Sequence, residues 1–453
     1  MSLDAPSSGS PAVHGVDDMV AWFRAGEKRP DERRCGMETE KLGVQERTGL
    51  PAPLMGDRSI AKVLEKLARD QHGELLTEHG TPIGITLARS SIALEPGGQL
   101  ELSGEPTPLL GEACAEVARH LEATRRTSQE PGVAWLAVGY RPFGPREGVP
   151  WLSRGRYELM KNRLTGKRAH DMMQMTASVQ ASFDFTSEEE AAEQVACATA
   201  VSPVVAAIFA NSPLENGAPS GYQSLRYRVW QDVDQARCGL SRQMLEPGFT
   251  YRAYVEWALD VPLVFVRRQN AYHDAGGRTF RDLMREGFLG EEATLDDFAD
   301  LLSTLFPEVR LKRVIEVRGA DAVDARTTGA LPCLWLGLLY DRDARQDARA
   351  LIRSSFEELV DFQTEVGRHA LFAKLGNARA LDLGRDLVRL ADEGLKRLSQ
   401  AGMPDARSWL DPVREILEAE RTGADRILEV HARTGGDVPA LIEAMRYQAS
   451  GTG

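Results

Sequence analysis

No stretch of this chain spells a phosphate loop of the form GxxxxGK[ST], and the signature set of the protein kinases is missing too. Any nucleotide would have to be held by metal ions and scattered basic side chains. Cysteine is scarce: Cys35, Cys114, Cys197, Cys238 and Cys333 are odd in number and lack CxxC spacing. That argues against a disulfide scaffold or a structural zinc site and leads to an expected reduced, cytoplasmic location. No apolar run reaches the roughly 18–20 residues needed to span a bilayer. Residues 1–15, rich in Ser, Pro, Gly and Ala, lack both the basic-then-apolar order of a signal peptide and the Arg-rich pattern of a transit peptide, so a disordered leader is expected there. Positive charge is in deficit. Lys and Arg number 55 against 67 Asp and Glu, a net charge of -12. Nucleic acid and anionic membranes are poor partners for such a chain. An anionic substrate remains compatible if arginines and metal ions are concentrated at one site.

What is present is enough chain for a large core: 453 residues, 42% hydrophobic. Apolar residues recur at helical spacing over 16–26, 59–70, 105–127 and 187–211. Strand patterns cover 36–44, 133–140, 179–185 and 309–318, and two strands joined by Pro96-Gly97-Gly98 cover 83–102. From 341 onward the pattern is almost wholly helical. There is no regular βαβ alternation, so the spacing predicts an α+β fold around a largely antiparallel sheet. One catalytic domain is expected over 16–450, its part from about 341 to 450 helical.

Five segments carry candidate chemistry. Glu38-Thr39-Glu40 sets two carboxylates on one face of a strand, where they repel unless a cation lies between them; Mg²⁺, which takes oxygen ligands, suits that place. In Leu94-Glu95-Pro96-Gly97-Gly98-Gln99-Leu100-Glu101-Leu102, Glu101 stands between two leucines and needs compensation by a metal or an arginine. In 311–318, Lys312, Glu316 and Arg318 share one face, a set able to hold metal-bridged phosphates. Gln180, Ser182 and Asp184 share a face of the strand at 179–185. Arg226 and Trp230 stand four apart, a carboxylate clamp beside an aromatic wall. Taken singly, each also fits a plain surface: an acidic edge, a hairpin, cross-strand salt bridges, polar-out alternation or an Arg–Trp stack.

In order along the chain, several segments resemble the plant-type glutamate–cysteine ligases. Residues 36–44, GMETEKLGV, resemble their GTEHEKFGF, and residues 91–104, SIALEPGGQLELSG, resemble their SISLEPGGQFELSG. Gly155-Arg156-Tyr157, Asp171-Met172-Met173, 209–213, 258–262, 306–313 and 316–321 match in the same order. The resemblance implies a glutamine synthetase-like catalytic core whose antiparallel sheet curves into a funnel with helices outside. It implies that glutamate and cysteine are joined through a γ-glutamyl phosphate at the cost of ATP, the first step of glutathione biosynthesis, in a monomer or homodimer. Glu38, Glu40, Glu95, Glu101, Gln180 and Glu316 would ligate Mg²⁺. Arg318 and Lys312 would contact ATP phosphates, Arg226 and Arg156 would hold the glutamate α-carboxylate and neighbouring anionic groups, and Phe185 and Trp230 would line the cysteine end.

Two departures stand out. The stretch 272–292, where plant members carry two cysteines of a regulatory disulfide, has none here. Val264 replaces a pocket tyrosine, which keeps open a related carboxylate–amine ligase acting on another amine; a non-catalytic homologue is the third reading.

Overall fold

The computed structural model describes residues 10–246, 248–269 and 271–447. Strand β1 (Cys35–Gln45) carries the organising pattern. Cys35, Met37, Thr39 and Lys41 are buried on one side, while Gly36, Glu38 and Glu40 alternate with them on the other, the period of two that separates the faces of a strand. Around it lie β2 (Glu74–Glu78), β3 (Thr81–Thr86), β4 (Ser91–Leu94), β5 (Leu100–Ser103), β6 (Val133–Leu136), β7 (Ser178–Phe183), β8 (Val309–Leu311) and β9 (Ile315–Asp321). Among the described residues these form one nine-stranded sheet in the order β8-β9-β7-β1-β5-β4-β3-β2, with β6 paired to the far half of β1. All its pairings are antiparallel. The expected α+β class with an antiparallel sheet therefore holds.

One face of the sheet is covered. Val179, Ala181 and Phe183 of β7 are buried. The Phe183 ring meets Tyr340, on the wholly buried helix Ala330–Tyr340, edge-on at 5.8 Å. Tyr340 in turn donates its hydroxyl to the Arg34 carbonyl at 2.9 Å and accepts the Asp184 N–H at 3.0 Å. The long helix Glu188–Ile208 also lies in this layer, capped by Ser187, with Pro203 inside it. Contrary to the sequence expectation, it is long and apolar enough to cross a bilayer, yet 83% of its apolar window is buried inside the fold. Its hydropathy is that of a core helix.

Three further expectations change. Residues 83–102 form three strands, because the chain turns back at Leu87, whose N–H donates to the Ser90 carbonyl. Residues 309–318 form a hairpin and not one strand, closed by Lys312 N–H to the Val314 carbonyl at 2.8 Å. Of the leader expected over 1–15, residues 1–9 lie outside the described residues, as do 448–450 of the expected domain. Residues 10–15 are not loose: Val13 is buried and its N–H donates to the Ala293 carbonyl, while Leu295 N–H donates to Pro11. Backbone pairing to an existing loop supplies what composition alone did not show.

The turn between β4 and β5 is held from outside. Gly98 adopts φ +76°, a left-handed conformation costly for other residues. Gln99 donates to the carbonyls of Met173 and Thr176 at 3.1 and 3.0 Å. A Cβ on Gly97 would lie 2.4 Å from the Gln174 carbonyl oxygen. We expect Gly97→Ala to cost about 2 kcal/mol or more in urea unfolding, whereas Gly111→Ala, where a Cβ meets nothing within 4 Å of a helix, should stabilise by up to about 1 kcal/mol. Equal midpoints for the two variants would show that the turn is not pinned.

Candidate active site

Pleating alone sets the acidic face. Glu40 stands opposite Glu101 across β1 and β5, and Glu38 opposite Gln180 across β1 and β7. Glu95 comes from the β4–β5 turn, whose Gly98 N–H donates to its carbonyl. Glu38, Glu40, Glu95, Glu101 and Gln180 line one inner cavity, together with Arg226, Arg310 and Arg318. Its apolar wall includes Trp230, Phe306 and Met160.

So much negative charge in one buried place has consequences. Burial pushes the Glu40 carboxyl up to about 7, the Glu95 charge adds to the rise, and Arg226 and Ser178 oppose it. Ser178 donates both its N–H (2.6 Å) and its hydroxyl (3.0 Å) to Glu40. Glu95 is 7% exposed and its Oε1 has no hydrogen-bond partner. The Ser103 hydroxyl donates to Glu101 at 3.1 Å. Gln180 turns its amide oxygen to Arg318 Nη1 at 2.5 Å and its NH₂ to the Ser178 hydroxyl at 3.0 Å. Burial and the Arg310 charge push the Arg318 guanidinium down to about 10, against Glu316, Glu38 and Glu40, which hold it up.

The structure does not bring all twelve sequence-derived residues together. Arg226 and Trp230 share the short helix Leu225–Trp230 and the inner wall, the guanidinium 6.0 Å from the indole. Lys312 and Arg156 line a second, wider outer cleft, which shares Glu38, Ser303 and Arg310 with the first. Arg156 is thus separated from Arg226. It stacks 5.7 Å over Phe265, with Nε and Nη2 buried and unpartnered.

Two expected positions are corrected. Phe185 reaches neither cavity: it is fully buried against Tyr251, ring centroids 5.9 Å apart. It lies two residues past the end of β7, where the chain leaves the sheet for the helix Glu188–Ile208, and its ring turns into the core there. Glu316 lies behind the walls, enclosed by Arg310 (2.6 Å), Lys312 (2.6 Å) and Arg318 (3.6 Å). Burial pushes its carboxyl up, but these three charges override that and hold it far below the usual carboxylate range.

Sequence reasoning missed Arg310, the residue common to both cavities and Glu316. The signal lay in the hairpin: once the turn at 312–314 is placed, Arg310 pairs with Glu316. It also missed Glu308, which burial pushes up to about 7 and Gln363 hydrogen-bonds at 2.8 Å.

The donor set fits Mg²⁺ in kind, since it is all oxygen and over-supplied with carboxylate. Among the described residues no three His, Cys, Asp or Glu side chains close around one point.

A family model described as glutamate-cysteine ligase family 2 matches residues 34–444. The chain is 36% identical to the chloroplastic glutamate–cysteine ligases of Nicotiana tabacum over 438 residues and of Arabidopsis thaliana over 441. Each alignment covers 95% of this chain and 83% of the relative. Among solved structures, a glutamate–cysteine ligase of Francisella tularensis in complex with AMP superposes with a TM-score of 0.54 at 15% identity, covering 91% of this chain and 87% of that one. The two chains share their fold, helices around a largely antiparallel sheet. These relatives correct the cytoplasmic location expected from the cysteines, because the plant enzymes matched are named chloroplastic. Unpaired thiols report a reducing milieu and not an address.

Because Glu40 is buried and has the Glu95 charge beside it, Glu40→Gln should leave the metal-free melting temperature unchanged or raise it, while lowering kcat/KM at least 100-fold, about 2.7 kcal/mol. A large drop in melting temperature would show that Glu40 is a structural and not a functional carboxylate.

Proposed function

The chain belongs to the glutamate–cysteine ligase family 2, and on that premise we propose that it joins glutamate to cysteine through a γ-glutamyl phosphate formed from ATP with Mg²⁺. The activity is that of a glutamate–cysteine ligase, the first step of glutathione biosynthesis. The observation that carries the finer reading is the inner cavity: four carboxylates walled by Arg226, Arg310 and Arg318 and opening through shared residues onto a larger cationic cleft.

In this reading Arg226 takes the α-carboxylate of glutamate, its Nε being buried without a partner. Lys312 and Arg310 meet the phosphates from the side of the outer cleft, where Arg156 serves a further anionic group, and Arg318 meets them from the inner cavity. Bound Mg²⁺, held by Glu38, Glu40, Glu95, Glu101 and Gln180, would offset charge on the phosphoryl oxygens. A γ-carboxylate oxygen of glutamate attacks the γ-phosphorus and ADP departs; the cysteine amine then attacks the acyl carbon, loses a proton and expels phosphate. The arginines lower the cost of charge spreading over the transferred group. Burial of the cavity fixes the reactants and keeps water from the acyl phosphate. Trp230 remains at the inner wall for the acceptor. Val264 is 1% exposed in the core and outside both cavities, so it gives no ground for a different acceptor.

Purified protein given glutamate, cysteine, ATP and Mg²⁺ should form γ-glutamylcysteine and ADP in equal amounts, and a chelator should abolish both. No dipeptide with cysteine, but turnover with another amine, would overturn the acceptor. All five cysteines are unpaired. A thiol reductant should therefore change the rate less than about twofold; a large gain would reveal a disulfide control.

A further inference from the structure

Two matched sequence segments have no part in the chemistry above: residues 209–213 and the Gly319-Ala320-Asp321 end of β9. They meet at one buried carboxylate. Asp321 is 1% exposed. Its Oδ2 accepts the Asn211 N–H at 2.8 Å and the Ser212 hydroxyl at 2.7 Å; its Oδ1 accepts the Ser224 hydroxyl at 2.9 Å and lies 3.8 Å from Arg226 Nη1.

Both hydroxyls pass the constraint on. Ser212 Oγ accepts the backbone N–H of Arg226 at 3.2 Å, and Ser224 Oγ accepts that of Tyr227 at 3.1 Å. By spending each serine proton on itself, Asp321 leaves the oxygens to cap the start of helix Leu225–Trp230. The head of Arg226 is fixed as well: Nη2 donates to the Arg318 carbonyl at 2.9 Å and Nη1 to Gly319 at 3.1 Å. The Asn211 amide ties the cluster to the carbonyls of Ala137 and Ala322 at 2.6 and 2.8 Å. There is no slack, since a Cβ on Gly139 would lie 2.3 Å from Asp321 Cγ.

We propose that Asp321 is a positioning residue, which holds the backbone and the guanidinium of Arg226 in one preset place so that the edge left free receives the glutamate carboxylate. This rests on the assignment of Arg226 to glutamate. A guanidinium held from the start loses little side-chain freedom on binding, so the benefit falls on affinity for one substrate and not on the chemical step.

The test is steady-state kinetics of Asp321→Asn, Arg226→Lys and their combination, with glutamate, ATP and cysteine varied in turn and melting temperatures recorded. Asp321→Asn should raise the glutamate KM about tenfold, with kcat and the other two KM values within about threefold, and should add less than about twofold in the Arg226→Lys background. Where Asp321→Asn does not fold, Ser224→Ala is expected to raise the glutamate KM alone by about threefold. Three KM values rising together, an unchanged glutamate KM, or a full tenfold effect in the Arg226→Lys background would overturn the proposal. An Arg226→Lys enzyme with normal glutamate KM would instead remove Arg226 from the glutamate site, and the proposal with it.

Discussion

Four carboxylates share one sheltered cavity, and their repulsion is the constraint to which the rest of the site responds. Two unit charges 4 Å apart interact by about 4 kcal/mol at an effective dielectric near 20, so several together cannot be left unanswered. The chain answers with three arginines in the same wall and with two hydrogen bonds from Ser178 to Glu40. That response is incomplete: burial, with the Glu95 charge added to it, still pushes Glu40 up to about 7, and Glu95 keeps an unpartnered oxygen. A site left short of positive charge in this way is suited to cations that arrive with a phosphate-bearing substrate.

The opposite holds on β9, across β7 from β1. Glu316 has three cationic groups around one carboxylate. It anchors Arg310, Lys312 and Arg318 at the junction of the two cavities. The sheet thus runs from an acidic half on β1 and β5 to a basic half on β8 and β9, and Gln180 and Arg318 are hydrogen-bonded where the halves meet. Phosphoryl transfer to a carboxylate needs both signs at close quarters.

Much of this was legible in the sequence because strand alternation is a local rule. Glu38 and Glu40 on one face, Glu101 between leucines, and Gln180 on the polar side of β7 all follow from a period of two. The failures have equally local causes. Phe185 was given to the pocket, but β7 ends at Phe183 and the ring turns into the core against Tyr251. The strand at 309–318 was read through a turn, which hid the pairing of Arg310 with Glu316. What could not be read is what long-range contact decides. Asp321 becomes meaningful only when residues 109 and 97 positions away in sequence close on it, and Arg156 and Arg226 prove to serve different cavities although both are arginines beside aromatic rings.

We propose that the acidic half is a divalent-cation site completed by phosphate. Electron paramagnetic resonance of Mn²⁺ titrated into the protein, alone and with a non-hydrolysable ATP analogue and glutamate, tests it directly. Weak binding alone, much tighter binding with the analogue present, and loss of that gain in the Glu40→Gln variant are expected. Mn²⁺ that stays free with both ligands present, or binds equally well to Glu40→Gln, would contradict it.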